Sequence, residues 1–251
     1  MAVEIAQNEF EVEVFAKFYE PLSDSFIDLE QVTLSLKRHI PAGGELFEVG
    51  LGTGYFASKF VADGYRVRGI QPRDAMLDVL KLNHPEVEIA AECKLEDYEF
   101  DKQYDSIVSH SSVFLFTRHE SSFGQSGEIL TTYIFQSFIR ERFEVYSCLR
   151  KSLKALKPQG KLFINIQTNP LPFMRATQGE DQITFEMLRC NYFLDQEYVE
   201  KIFRINHRGR DYEISDTRFC EPYSSFTKSI ARYGFETVLS EDKYWVILHR
   251  R

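Results

Sequence analysis

Compact apolar runs and stretches of helical spacing take turns along most of this chain. Leu46–Val49, Tyr65–Ile70, Val87–Ala91, Tyr104–Ser109 and Lys161–Gln167 have the length and composition of strands, and the first is apolar enough to be buried on both faces, as in a parallel sheet. Phe56, Phe60 and Val61 recur at helical spacing after the first run, and Asp74-Ala75-Met76-Leu77 opens a second helix that ends near His84-Pro85. Strand, helix, strand in this order predicts parallel strands joined by right-handed crossovers. Ahead of them, Glu9 to Ile40 predicts two helical pieces broken near Pro21, and Pro41-Ala42-Gly43-Gly44 separates these from the first strand.

The second half is less regular. Glu128 to Leu156 predicts one long helix stopped by Lys157-Pro158-Gln159-Gly160. Ser121 to Gly127 is a polar loop that could gate a site. After a break at Asn169-Pro170-Leu171-Pro172, the segments Tyr192–Leu194, Tyr198–Ile205 and Tyr212–Ser215 are extended, with a hairpin turn at His207–Asp211. A last helix runs from Glu221-Pro222-Tyr223 to Tyr233-Gly234-Phe235. Glu236–Leu239 and Lys243–His249 follow, and the link Ser240-Glu241-Asp242 is too short for anything but antiparallel pairing.

The chemistry concentrates where the first strand meets its helix. Three glycines at alternate positions (Gly50, Gly52, Gly54) follow Glu48 there. Glycines let the backbone come close to a ligand, and a helix start offers free N–H groups. A dinucleotide fingerprint would need glycine at position 55, which is Tyr55. In an open α/β sheet a ligand sits beyond the carboxyl ends of such strands. The segment after the fourth strand, His110 to Glu120, therefore faces a second reactant. His110 is a candidate proton acceptor because imidazole ordinarily titrates near operating pH.

The E-x-G-x-G-x-G run of Glu48 to Gly54 resembles the first motif of class I S-adenosylmethionine (SAM)-dependent methyltransferases. Asp74-Ala75-Met76-Leu77, Tyr104-Asp105-Ser106-Ile107 and Leu153 to Leu162 (L-K-A-L-K-P-Q-G-K-L) resemble later motifs of that family in the same order. The resemblance covers about residues 41–167 and 222–250. It implies a Rossmann-like α/β fold: a seven-stranded, mostly parallel sheet, an antiparallel C-terminal hairpin and a β-rich insertion after strand five. It implies one domain over 1–251, with 1–40 as a helical cover and 168–221 as an insertion roofing the substrate. It also implies SAM as cofactor and S-adenosyl-L-homocysteine as product, without a metal. By analogy Tyr19 lies near the methionine end; Glu48, Gly50, Gly52, Gly54 and Tyr55 hold the amino acid end; Gln71 holds ribose; Met76, Glu92 and Cys93 surround adenine; and Ser109 with His110 borders the sulfonium. The family places an acid at position 71, so Gln71 is a departure. Arg175, Tyr192, Arg218 and Tyr223 are candidate substrate contacts, the arginines suiting a carboxylate.

Composition narrows the acceptor. A net charge of -8 with no basic run argues against nucleic acid and against an anionic membrane surface. The four cysteines are scattered, with no C-x-x-C pair, which disfavours zinc or a disulfide framework and suits a cytoplasmic protein. No signal peptide and no apolar run of spanning length is evident. The expected activity is methyl transfer to a small-molecule or carrier-bound metabolite. Transfer of the aminocarboxypropyl group, cyclisation of SAM, and a non-catalytic binding role on the same fold stand as alternatives.

Overall fold

The computed structural model describes residues 9–123, 128–168 and 173–251. In chain order the elements are α1 (Glu9–Phe26), α2 (Leu29–Lys37), β1 (Glu45–Val49), α3 (Tyr55–Ala62), β2 (Arg66–Ile70), α4 (Ala75–Asn83), β3 (Glu88–Ala91), β4 (Tyr104–Ser109), β5 (Phe114–Phe123), β6 (Glu128–Ser137), α5 (Arg142–Lys154), β7 (Leu156–Thr168), β8 (Phe173–Gln178), β9 (Asp181–Phe193), β10 (Tyr198–His207), β11 (Arg210–Pro222), α6 (Tyr223–Ala231), β12 (Phe235–Leu239) and β13 (Trp245–Arg250).

Strands β3, β2, β1, β4 and β7 are parallel neighbours in that order. β13 adds antiparallel to β7, and β12 to β13. These seven strands form the expected sheet. Side-chain alternation explains why both faces are covered. Ile107, Leu162 and Ile164 point into a core shared with α5 and α6, where Leu149, Phe226 and Ile230 are fully buried. Their neighbours Val108 and Phe163 point the other way, into a core with Phe60, Leu36 and Trp245. Each such buried side chain contributes about 1.5–3 kcal/mol, so the parallel sheet is stable only as the middle of a three-layer sandwich.

The remaining six strands form an antiparallel extension in the order β5-β6-β11-β10-β9-β8. It is continuous with the parallel sheet, because Phe116–Arg118 of β5 pairs in parallel with Ile166–Thr168 of β7. α1 lies on its inner face, with Phe18 and Leu22 against Ala176, Ile183 and Ile205.

Three expectations are corrected. The single helix over Glu128–Leu156 is a strand, β6, followed by the shorter α5; the β-branched and aromatic run Ile129 to Phe135 pairs with β5. The insertion therefore has two parts, one before α5 and one after β7. Helix α1 continues through Pro21 and ends at Phe26, and Asp28 restarts the chain as the N-cap of α2 by accepting from the Gln31 N–H at 3.0 Å. Of the loop expected at Ser121–Gly127, residues 121–123 belong to β5 and 124–127 lie outside the described residues, as does the break at 169–172. The hairpin turn at His207–Asp211 is present, with Arg208 and Gly209 both at positive φ.

Candidate functional site

A cavity of about 1090 Å³ lies beyond the carboxyl ends of the parallel strands, between the glycine turn, α1 and the antiparallel extension. Its floor begins with Glu48, the penultimate residue of β1, whose side chain is 1% exposed. Its Oε2 has no hydrogen-bond partner among the described residues, and burial holds its pKa well above the usual carboxylate range. A buried carboxylate with an empty oxygen on a cavity wall is a place for a cation.

The glycine turn is shaped by steric demand. Gly50 sits at φ +80°, and a Cβ on it would come within 2.8 Å of the Ser112 Cβ. Ser112 cannot retreat, since its hydroxyl donates to the Val49 carbonyl. Gly54, also at φ +80°, lies against Leu80 and sets the approach of α3 to α4. Four of the turn's N–H groups are consumed internally: those of Gly50 and Leu51 by the Ile70 carbonyl, that of Gly52 by Gln71 Oε1 at 2.8 Å, and that of Gly54 by the Leu51 carbonyl. A pyrophosphate needs such groups pointed at it. The three glycine amides of this turn are spent on holding its own shape.

Gln71 is engaged at both ends of its amide. Its Nε2 donates to the Asp74 carboxylate at 3.1 and 3.2 Å, and Asp74 also N-caps α4 through the Leu77 N–H at 3.2 Å. Gln71 thus braces the glycine turn against Asp74, and Asp74 is the carboxylate that this end of β2 presents to the cavity. Position 74 was expected only as the start of a helix.

Tyr19, Tyr55, Met76 and Cys93 line the same space, and burial raises the Cys93 thiol above its ordinary value. The Tyr55 hydroxyl donates to Asp24 at 2.8 Å, which ties the glycine turn to the overlying α1. Tyr19 lies beside Glu48 and is pushed up to about 12, mainly by burial. Glu92 turns outward to Lys81 at 2.5 Å, away from the cavity. Gly54 and Ser109 stand behind the wall. The Ser109 Oγ is 2.9 Å from the Phe114 N–H and 2.8 Å from the Phe114 carbonyl, so it closes the turn that carries His110 to Val113.

His110 faces the cavity and stacks on Phe56, with centroids 4.2 Å apart at 12°. Its Nε2 is buried and without a partner among the described residues, and burial lowers its pKa to about 3. The premise of a titration near operating pH does not hold here. The ring is a neutral, weakly basic wall at physiological pH.

On the opposite side, Arg218 lines the cavity. The other three expected contacts do not. Arg175 is exposed; the Tyr192 hydroxyl is held between His119 Nε2 at 2.8 Å and Gln136 Nε2 at 3.2 Å; and Tyr223 packs on Phe116 with its hydroxyl towards Thr237. Lys201 and Asp216 were missed. The signal was present, because Lys201 falls on the apolar face of an alternating strand, between Val199 and Phe203.

Residues 47–132 match the family model described as "Methyltransferase domain". Among curated proteins, none matches the sequence. Among solved structures the chain is similar to the sugar N-methyltransferase KedS8 from Streptoalloteichus sp ATCC 53650 (15% identity, 100% of this chain and 97% of that one, TM-score 0.65). It is similar to DesVI from Streptomyces venezuelae (10% identity, 98% and 100%, TM-score 0.65) and to the CcbJ methyltransferase from Streptomyces caelestis (15% identity, 94% and 96%, TM-score 0.63). At these identities the likeness establishes the fold, which includes the antiparallel extension because whole chains align.

Proposed function

We propose that this chain, whose fold is that of the class I methyltransferases, transfers a methyl group from SAM to a small-molecule acceptor. The observation that carries the reading is Glu48, a buried carboxylate whose free oxygen faces the cavity beside a turn whose three glycine amides are already engaged. That combination suits the α-ammonium of an amino acid better than a pyrophosphate, which the Glu48 carboxyl would face with like charge.

When bound, SAM supplies a methyl group on a sulfonium, already activated for in-line displacement by an acceptor nucleophile. The protein's tasks are orientation and exclusion of water. Glu48 would pair with the ammonium, Asp74 held by Gln71 would accept from the ribose hydroxyls, and Met76 with Cys93 would flank the base. His110 on Phe56 would close the methyl end with a dry, uncharged surface. Residues 1–40 would act as cover and 168–221, with β5 and β6, as roof. KedS8 is described as a sugar N-methyltransferase. An amine acceptor agrees with a site whose cavity histidine, His110, is a poor base, since a neutral amine attacks without prior proton removal. A carrier-bound metabolite is a special case of the same reading.

The test is a thermal-shift and calorimetric titration with SAM, S-adenosyl-L-homocysteine and NAD. The first two are expected to raise the melting temperature, by about 2.7 kcal/mol of added stability at a hundredfold excess over Kd, and NAD is not. Indifference to both adenosyl-sulfur compounds would refute the proposal. Once an acceptor is found, S-adenosyl-L-homocysteine as product supports methyl transfer, and methylthioadenosine would point to the aminocarboxypropyl or cyclisation routes.

A further inference from the structure

We propose that the acceptor carries an oxyanion, a carboxylate or a phosphate, which seats between Lys201 and Arg218 on the roof of the cavity. This rests on the small-molecule reading above and names the class of molecule the same site takes.

The roof strands alternate. On β10, Val199, Lys201, Phe203 and Ile205 share one face, and on β11 that face carries Ile214, Asp216, Arg218 and Cys220. Three charges interrupt an otherwise apolar surface, and all three line the cavity. Lys201 is 4% exposed, and lysines are almost never so buried unless paired. Among the described residues its one hydrogen bond goes to a neutral acceptor, Gln136 Oε1 at 2.7 Å. Gln136 is aimed at it deliberately: its Nε2 donates to the Thr117 hydroxyl and to Tyr192, which leaves the amide oxygen for the ammonium. Asp216 stands directly across from Lys201 in the strand register, yet its carboxylate is taken by Arg218 Nε at 2.5 Å. The Arg218 guanidinium lies over the Phe138 ring, 3.7 Å from its centroid. Its terminal nitrogens have no hydrogen-bond partner among the described residues.

Two cations therefore share one carboxylate, with an excess of one positive charge in a largely desolvated wall. The other groups facing Lys201 do not offset it. Cys190 on β9 stands across from Lys201 in the register, burial raises Tyr192 on β9 and Cys220 on β11 and keeps both neutral at pH 7, and His119 on β5 is held below its ordinary pKa by burial and by Lys201 itself. Burial and Arg218 bring Lys201 down to about 8, which leaves it mostly charged at neutral pH. An uncompensated buried charge costs several kcal/mol, and the unused donors of Lys201 and Arg218 mark where its counterion belongs. Diagonal neighbours on paired strands are about 7–8 Å apart. That gap suits one oxyanion bridging both, with the guanidinium contributing its paired N–H fork.

The experiment is calorimetric titration of the full chain with phenyl phosphate and, separately, benzoate, with S-adenosyl-L-homocysteine titrated into the same preparations. The two probes share a ring and keep a nearly fixed charge from pH 7 to 9, since a phosphate monoester is half-way through its second ionisation near pH 6 and a carboxylate ionises near 4. Saturable binding of one probe supports the proposal, and the tighter arm names the source of the oxyanion. Lys201→Met and Arg218→Met should each weaken it by about tenfold or more, with affinity for S-adenosyl-L-homocysteine within twofold of wild type. In wild type, affinity should fall as pH passes from 7 to 9 and Lys201 loses its proton. If Lys201→Met does not fold, Arg218→Lys and this pH series carry the test. Binding of S-adenosyl-L-homocysteine without either probe, probe binding unchanged in the variants, or affinity flat with pH would each overturn the proposal. Failure to bind S-adenosyl-L-homocysteine would instead sink the reading on which it rests.

Discussion

Replacing Glu48 with glutamine separates a buried neutral acid from an ordinary surface carboxylate. In the unfolded chain a glutamate titrates near 4.3, whereas in the folded protein burial holds Glu48 well above that. Below the unfolded value both states carry the proton and pH has no effect through this group. Above it, the unfolded chain releases a proton that the folded chain keeps, so folding loses about 1.4 kcal/mol for each pH unit until the folded value is reached. Glu48→Gln removes that slope. The amide adds a constant offset, because it does not titrate. The stability difference between variant and wild type, from urea unfolding without ligand, should therefore shift in favour of the variant as pH rises from 5 to 6, by at most about 1.4 kcal/mol. All other titrating groups cancel in the comparison. Cofactor should reverse the preference: a carboxylate that pairs with an ammonium ionises, so binding to wild type releases a proton. Calorimetry in buffers of different ionisation enthalpy should see this release, and it should vanish in the variant. A difference in unfolding free energy that stays flat from pH 5 to 6 would refute the reasoning, since Glu48 would then already be ionised in the ligand-free fold.

Gly50→Ala forces a left-handed backbone on alanine and a Cβ within 2.8 Å of Ser112, and should cost about 2 kcal/mol or more in thermal unfolding. Gly52→Ala meets nothing within 4 Å and should cost only the left-handed penalty, about 1–2 kcal/mol. Gln71→Glu sets a second carboxylate about where the amide now touches Asp74 at 3.1 Å. It should lose about 1–3 kcal/mol at pH 8 and regain it on acidification, as one member of the pair takes a proton. The His110 imidazole should show no titration by NMR between pH 5 and 8, and a midpoint near 6.5 would contradict its burial against Phe56.

The parallel half of the fold was legible because each cue there is local. Leu46–Val49 is apolar but for Glu48, the glycines Gly50, Gly52 and Gly54 mark one turn, and Tyr104–Ser109 was bounded to the residue. The stretch from Glu128 to Ser137 misled because its apolar residues fit a helical period loosely and a strand's composition well, and only pairing with β5 decides between them. Site residues divide the same way. Glu48, Gly50, Gly52, Tyr55, Met76 and Cys93 follow from order along the chain and all reach the cavity. The roof depends on which faces of β9, β10 and β11 curl inward, so of Arg175, Tyr192, Arg218 and Tyr223 only Arg218 does. Charged residues on apolar rows, Lys201 and Asp216, were the better guide. Gln71 looked like a weakened ribose contact, when its meaning lay three residues on, in Asp74.

Strand β7 belongs to three ladders, joining β4 and β13 through its middle and β5 through Ile166–Thr168. Cradle and canopy are thus woven together through that stretch. A lesion in that short stretch of weave, such as a proline at Gln167, would loosen the grip on both reactants together, and neither affinity could be tuned there without disturbing the other.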